Sequence, residues 1–427
     1  MATPLKKIVG ASMIGTTIEW YDFFLYGLAA ASVFPKLFFP TADTFVGTML
    51  SFLTFALGFG ARPIGGLIFG HYGDRIGRKT LLVVSVLMMG GSTALIGVLP
   101  TYEGVGVAAP VMLVALRLIQ GVAIGGEWGG AVLIVSEHGD SDKRGFWASM
   151  PQAGVPIGNL LATVVLAIMS GVQSEEAFLS WGWRVPFLLS GLLVLIGFWI
   201  RMSISEPPVF EASEKTRLPI VDVFRFHWRQ VLGAIGARLV ENISYYVITA
   251  FVITYATAPA IGLSKSFVLN CLIVASVAHL ITIPMWGALS DRVGRKPVYL
   301  FGAAGVGLWA FAFFPLVDSG SPVNVTIAVT VGLVLHGAMY GPQAAFFTEL
   351  FGTNVRYSGV SVGYQLASIV AGAPAPLIAV ALLKSSGSSL PISIYLAIAA
   401  VLTILAVVLV KETRGRDLAT LQEKVKV

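Results

Sequence analysis

The chain has 427 residues, 56% of them hydrophobic and 12% charged, with a mean hydropathy of +0.83 and a formal net charge of +6. Soluble domains carry about 25% charged residues, so no soluble core could bury this much apolar surface and the surrounding medium must be lipid. The cations lie in short segments between apolar runs rather than in one stripe, which excludes a nucleic-acid binder, and the single cysteine, Cys271, excludes an internal disulfide and argues against a thiolate metal site.

The first apolar run, residues 10–34, follows Lys6 and Lys7 in the manner of a secretory leader, but it carries Glu19 and Asp22 and is expected to stay as a membrane span. Further runs long enough to cross a bilayer fall at 45–70, 80–99, 107–137, 145–171 and 185–203. A polar, proline-bearing stretch follows, and a second set begins: 229–258, 265–288, 298–317, 322–350, 359–384 and 389–410. The expected architecture is an all-α membrane protein of twelve transmembrane helices in two six-helix halves. Residues 1–203 form the first half, 204–228 a cytoplasmic linker, and 229–427 the second half with a short cytoplasmic tail. Of the 28 lysines and arginines, 21 fall on the side of the termini, the linker and the loops after even-numbered spans, among them Arg201 at the end of span six. Four fall on the other side, and Arg62, Arg117 and Arg238 lie inside spans. That asymmetry predicts cytoplasmic termini.

The halves repeat one another. Gly70–Lys79 reads G-x3-D-R-x-G-R-K, and Gly287–Lys296 reads the same 217 residues later. Each copy links two apolar runs. Glu137 and Arg144 flank the loop after span four, and Glu349 and Arg356 flank the loop after span ten at the same spacing. Parallel repeats of this kind place a substrate site near the midplane between the halves.

Charges within a span cost at least about 2.5–3.5 kcal/mol at a helix centre, so each needs a reason. Glu19, Asp22 and Tyr26 share one face of span one, Arg238, Glu241 and Tyr245 one face of span seven, and His336, Tyr340 and Gln343 one face of span ten. Arg117 and Trp128 share a face of span four, with Glu127 beside it. Such polar stripes fit helices around a water-filled cavity. Asp22 with Arg117 reads either as a coupling pair or as a structural ion pair, and Arg238 with Glu241 either as part of a binding site or as a mutual i,i+3 pair. Arg62 is assigned to the charge cluster around the first hairpin and His279 to helix packing. Gly65, Gly66, Gly125, Gly126, Gly129 and Gly130 are read as close helix contacts. No Walker motif or nucleophile–base pair stands out, so neither an enzyme nor an ATP-driven pump is expected.

The paired hairpin motifs resemble the signature of the major facilitator superfamily. Within it, Ile18–Gly27 (IEWYDFFLYG), Arg62-Pro63-Ile64-Gly65-Gly66 and Gly125-Gly126-Glu127-Trp128-Gly129-Gly130 resemble the metabolite:proton symporters, with the first span nearest to the shikimate permease branch. The resemblance implies uptake of carboxylates, or of zwitterions such as proline and betaine, and an acid–arginine pair between spans one and four that gates proton movement. It also implies that Asp74, Arg75, Asp291 and Arg292 in the hairpins stabilise the outward-open state. The tail after Lys411 lacks sustained heptads, so the coiled coil of osmosensing members is not expected. The function expected is proton-coupled symport of a small organic anion across the bacterial inner membrane by a monomer. Glu19, Asp22 and Glu241 would carry the proton. Arg117, Arg238, Tyr21, Tyr26, Trp128, Tyr245, Tyr340 and Gln343 would hold the carboxylate, with no cofactor and no metal. Tyr246 and Tyr364 are weaker aromatic candidates. An uncoupled facilitator, a zwitterion symporter, a drug:proton antiporter and a binding protein without turnover remain as alternatives.

Overall fold

The computed structural model describes residues 4–41, 44–139, 141–202 and 219–418, and no strand occurs among them. The first half holds α1 (Leu5–Ser32), α2 (Thr44–Ile76), α3 (Arg78–Val98), α4 (Ala108–His138), α5 (Arg144–Gly171) and α6 (Arg184–Met202). The second holds α7 (Trp228–Tyr246), α8 (Lys265–Val293), α9 (Arg295–Asp318), α10 (Pro322–Leu350), α11 (Arg356–Ala367) and α12 (Leu390–Leu409). A π turn at Val247–Phe251 continues α7 into Val252–Ala256, and another at Ser368–Gly372 follows α11 before the helix Ala375–Ser386. Eleven of these rods are long and apolar enough to cross a bilayer; the twelfth, α1, holds Lys6, Lys7, Glu19 and Asp22 in 28 residues and falls short on composition. Of the expected linker, residues 204–218 lie outside the described residues, and Pro219–Phe226 forms a short helix.

Each signature motif builds a one-residue turn between two long helices. α2 ends at Ile76 and α3 begins at Arg78, so Gly77 alone makes the reversal, with φ 116°. Gly294 does the same between α8 and α9 at φ 107°. A side chain is strained in that region of backbone space, which is why the motif keeps glycine there.

Packing repeats with the sequence. α1 lies on α5, α2 on α4, α3 on α4 and on α6; the same set recurs as α7 on α11, α8 on α10, α9 on α10 and on α12. Glycine makes the contacts close: a Cβ on Gly65 or Gly125 would enter the backbone of the facing helix, at Val122 and Arg62 respectively, and one on Gly341 of α10 would enter that of α8. Leu308, Leu377, Leu409 and Trp199 stand outward and exposed, as a lipid-facing surface requires.

The halves meet along α2 with α11, α5 with α8, and α5 with α10. These contacts gather toward the end bearing both hairpin motifs, called here the basic end. A Cβ on Gly70 would lie 2.8 Å from Ser358, and one on Gly73 2.6 Å from the ring of Tyr357. The Tyr357 hydroxyl crosses to the Gly126 carbonyl at 2.7 Å. The basic end is therefore closed.

Candidate functional site

A cavity with about 350 Å³ of empty space lies between the halves near mid-helix. α1 contributes Trp20, α2 Arg62 and α5 Val155; α7 contributes Arg238, Glu241, Asn242, Tyr245 and Tyr246; α10 contributes His336 and Tyr340; and Tyr364 and Ser368 come from α11 and its π turn. Arg238, Glu241 and Tyr245 of one expected stripe and His336 and Tyr340 of the other thus face one space, while Gln343 is not in its lining and bonds Glu241 and the Tyr299 hydroxyl.

Its two arginines differ. Arg238 is fully engaged: Nε donates to Glu241 at 2.9 Å, and Nη1 donates to the Tyr364 carbonyl at 2.7 Å and the Ser368 hydroxyl at 3.0 Å. Its guanidinium lies 3.4 Å from the centroid of the Tyr364 ring. Glu241 also accepts from Gln343 at 3.2 Å and approaches His336 at 3.3 Å. Arg62 instead stacks over Phe23 and Phe59, at 4.6 and 4.1 Å, and its Nε and Nη2 meet no acceptor among the described residues. A buried charged donor without an acceptor is costly, and an anion in the cavity would supply what is missing. Arg62 stands near the middle of the 33-residue α2, so it belongs to the cavity and not to the hairpin cluster.

Arg117 is placed elsewhere. It is fully buried, lies over the rings of Tyr26 and Phe55 at 4.2 and 4.7 Å, and donates to Gln120 at 3.1 Å. It does not line the cavity and does not pair with Asp22, because its face of α4 turns toward the aromatic side chains of α1 and α2. Tyr21 and Tyr26 are likewise engaged in packing, donating to the Pro186 carbonyl at 2.8 Å and sharing a hydrogen bond with Thr54 at 2.7 Å. Trp128 does not line the cavity; it donates to Gln152 at 2.5 Å and stacks on Tyr364, which does.

The first-half acids lie around a second, smaller cavity of about 220 Å³, lined by Glu19, Asp22, Ser85 and Glu127. Ser190 of α6 donates to Oδ1 of Asp22, and Oδ2 has no partner among the described residues. Glu127 is held by both ends of the Arg201 guanidinium and by the Ser85 hydroxyl. Arg201 is 2% exposed, so it is a buried partner of Glu127 rather than the loop cation expected.

At the basic end the repeated acid and arginine pairs bond crosswise between halves. Arg144 meets Glu349 at 2.9 Å and Arg356 meets Glu137 at 2.8 Å, with Arg295 adding to Glu349 at 3.1 Å. Asp291 accepts from the backbone N–H groups of Gly145 and Phe146 at 2.8 and 2.9 Å, capping α5 from the other half. Arg292 is exposed, Arg75 is exposed and donates to His71 at 3.3 Å, and the Asp74 side chain lies outside those described. The segment after α12 crosses this network. Arg144 donates to the Arg416 carbonyl at 3.0 Å, Arg356 to the Leu418 carbonyl at 3.1 Å, and Thr413 to Glu349 at 2.7 Å. Glu412 caps the start of α9 through the N–H groups of Arg295 and Lys296, both at 3.0 Å.

The sequence profile of the Major Facilitator Superfamily matches residues 12–376 and, in a second alignment, 243–425. The chain belongs to the major facilitator superfamily. This major facilitator is 41% identical over 427 residues to the inner membrane metabolite transport protein YhjE of Escherichia coli K12, covering 97% of each chain. It is 40% identical to the shikimate transporter of the same strain, covering 96% of this chain and 95% of that one. It is also 32% identical to the E. coli K12 proline/betaine transporter, covering 97% of this chain and 85% of the relative. Among solved structures it superposes on the proton:xylose symporter XylE bound to 6-bromo-6-deoxy-D-glucose with a TM-score of 0.79 at 16% identity, covering 98% of both chains. The protein is a multi-pass membrane transporter and not an enzyme.

Sequence reasoning missed Arg62, Arg201, Asn242 and Ser368. Arg62 was misplaced by reading its height from the nearby hairpin, and Arg201 by its position at the end of an apolar run. A requirement that every buried charge find a partner would have matched Arg201 to Glu127.

Proposed function

We propose that this transporter carries a small organic anion together with a proton by alternating access. The observation that supports the reading most is Arg62, which lines the cavity between the halves and carries two buried donors without an acceptor among the described residues. Arg238 is already neutralised by Glu241 at 2.9 Å, so the cavity has room for one further negative charge. A monocarboxylate matches that charge, with Asn242, Ser368 and the tyrosines lining the cavity to meet hydroxyl groups and ring faces. The relatives that carry shikimate and proline or betaine make a cyclic hydroxy acid and a zwitterion the first compounds to try. The aromatic walls and Glu241 would suit the cationic end of a zwitterion.

Basic loops mark the cytoplasm in inner-membrane proteins, so we read the closed basic end as the cytoplasmic seal and take uptake as the direction of transport. Moving one negative charge into a cell at −100 mV costs about 2.3 kcal/mol, which a co-transported proton cancels. The groups we take to exchange it are the buried acids Glu19 and Asp22 in the first half and the buried cluster around Glu241 in the second. Substrate binding would draw the outer ends together, and breakage of the crosswise arginine pairs would then release the basic end.

The test is uptake by purified protein in proteoliposomes under an imposed pH gradient, with shikimate, proline and betaine as probes. Accumulation of shikimate driven by the gradient, lost in Arg62→Gln, supports the reading. Accumulation unaffected by Arg62→Gln would overturn the anion site, and uptake indifferent to the gradient would overturn coupling.

A further inference from the structure

Two imidazoles touch inside the second half. His336 of α10 meets His279 of α8 with Nδ1 and Nε2 3.0 Å apart, and turns its Nε2 to Oε1 of Glu241 at 3.3 Å. Both rings are about 1% exposed. His336 lines the cavity, and His279 stands behind it. Holding α8 against α10 does not require this arrangement, since apolar side chains pack two helices without desolvating polar atoms.

We propose that the co-transported proton rides, in the second half, on this imidazole pair rather than on Glu241 itself. The proposal rests on the anion reading above. Glu241 accepts from Arg238 and Gln343 on Oε2 and faces His336 with Oε1, so the geometry uses it as a carboxylate throughout. The imidazole pair has two states that keep every contact. In the neutral pair, His336 donates from Nε2 to Glu241 and accepts at Nδ1 from the Nε2–H of His279. With one proton more, His336 donates from both nitrogens, and His279 accepts at Nε2 while carrying its hydrogen on Nδ1. The two differ by a single proton, taken from water on the open side and returned to water on the other, with no heavy atom displaced.

Charge supplies the reason for coupling. Around the pair lie Arg238, Glu241 and Tyr245 of α7, Tyr340 of α10, Tyr364 of α11, and Tyr299 of α9 through Gln343 at 3.0 Å. α5 contributes Gln152, which donates to the Tyr340 carbonyl at 3.2 Å, and Arg62 faces the same cavity from α2. Arg238 and Glu241 cancel, which leaves the charge of Arg62. A bound carboxylate removes that charge, and a proton on the imidazole pair restores it. Empty and loaded cavities then present the same net charge to the rocking halves. His279 is a positioning residue: it sets which nitrogen of His336 carries hydrogen.

The experiment uses ¹⁵N-histidine-labelled full-length protein in nanodiscs. The chain has five histidines, so each signal is assignable by single substitution. The expected result is that His279 and His336 titrate together as a one-proton event, that 10 mM shikimate moves their midpoint upward by at least one pH unit, and that His279→Gln abolishes this joint step. In proteoliposomes, His279→Gln should lower gradient-driven accumulation at least tenfold and flatten its pH profile, with a smaller loss in shikimate counterflow at equal pH. Histidines that stay neutral from pH 4 to 9, or that titrate independently, overturn the proposal. A joint step unmoved by shikimate, with uptake intact in Arg62→Gln, refutes the anion reading and with it the coupling assigned here. A His279→Gln protein that accumulates normally also overturns it.

Discussion

Trp128 of α4 stacks on Tyr364 of α11 with ring centroids 3.7 Å apart and planes inclined by 19°. Arg238 covers Tyr364 at 3.4 Å, and two groups that close need opposite faces of the ring. Tyr364 is thus clamped between the halves at the basic-end floor of the cavity, and the Trp128 stack must break when that end opens. An aromatic pair contributes about 0.5–1.5 kcal/mol beyond its buried area. Trp128→Ala should therefore raise the basic-end-open population severalfold. A cysteine placed at Ser361, buried between the halves, should react correspondingly faster with a maleimide; an unchanged rate would mean the stack does not hold the floor shut.

Arg62 and Arg117 should separate into two phenotypes. Loss of a charge-assisted hydrogen bond costs about 1.5–3 kcal/mol, or roughly ten- to a hundredfold in affinity. Arg62→Gln should show that loss for shikimate, whereas Arg117→Gln, outside the cavity lining although it shares the Phe23 ring with Arg62, should slow transport with affinity kept within threefold. Calorimetric titration of both proteins decides, and equal affinity losses would return Arg117 to the binding site.

Asp22→Asn mimics a permanently protonated acid. The substitution keeps the bond to Ser190 and removes the charge next to the first-half cavity. Exchange of labelled for unlabelled substrate should persist while accumulation under a pH gradient falls at least tenfold. A variant that still concentrates substrate would move the first-half proton to Glu19.

Asp291→Asn should alter cycling more than binding. Asp291 caps α5 from across the interface and bonds Arg295 at 2.6 Å, at the basic end and away from the cavity between the halves. The amide retains one acceptor, so the cap is weakened rather than lost. Stopped-flow turnover should change several-fold with Kd unaltered; the reverse pattern would place Asp291 in the site. Asp74→Asn, its counterpart in the first half, should act in the same direction and more strongly.

Glu412 gives the segment after α12 a defined pH response. Partial burial alone would raise its carboxyl, but N–H bonds from Arg414, Lys296, Arg295 and Thr413 outweigh that and hold it below its ordinary 4.5. A depressed carboxyl stabilises the docked state fully above the unfolded value and loses that contribution as pH falls through the folded one. Limited proteolysis within 411–418 should therefore be slow and flat from pH 8 to 5, then accelerate in stronger acid. Glu412→Gln should be cleaved faster throughout the flat region, and identical profiles would dismiss the cap.

Span positions were legible because lipid imposes a length and a composition on every crossing helix, and the repeat was legible because Gly77 and Gly294 make the same one-residue turn. The pairing of charges was not. Equal spacing of Glu137 with Arg144 and Glu349 with Arg356 suggests partners within a half, yet Arg144 bonds Glu349 and Arg356 bonds Glu137, since contact across an interface leaves no periodicity in either segment. Heights along a helix were equally hidden: Arg62 lies mid-membrane because α2 runs on to Ile76, beyond where hydropathy alone would end it.

The carbonyl groups of Arg416 and Leu418 complete the arginine network that joins the halves, and both follow the last span. Chains are made from the N-terminus, and segments organise in the order they emerge. Arg144 and Arg356 thus wait without those acceptors until α12 has been synthesised. Closure of the basic end is then a late step of biogenesis, so a chain interrupted before residue 411 would hold twelve inserted helices without the seal that separates the two aqueous compartments.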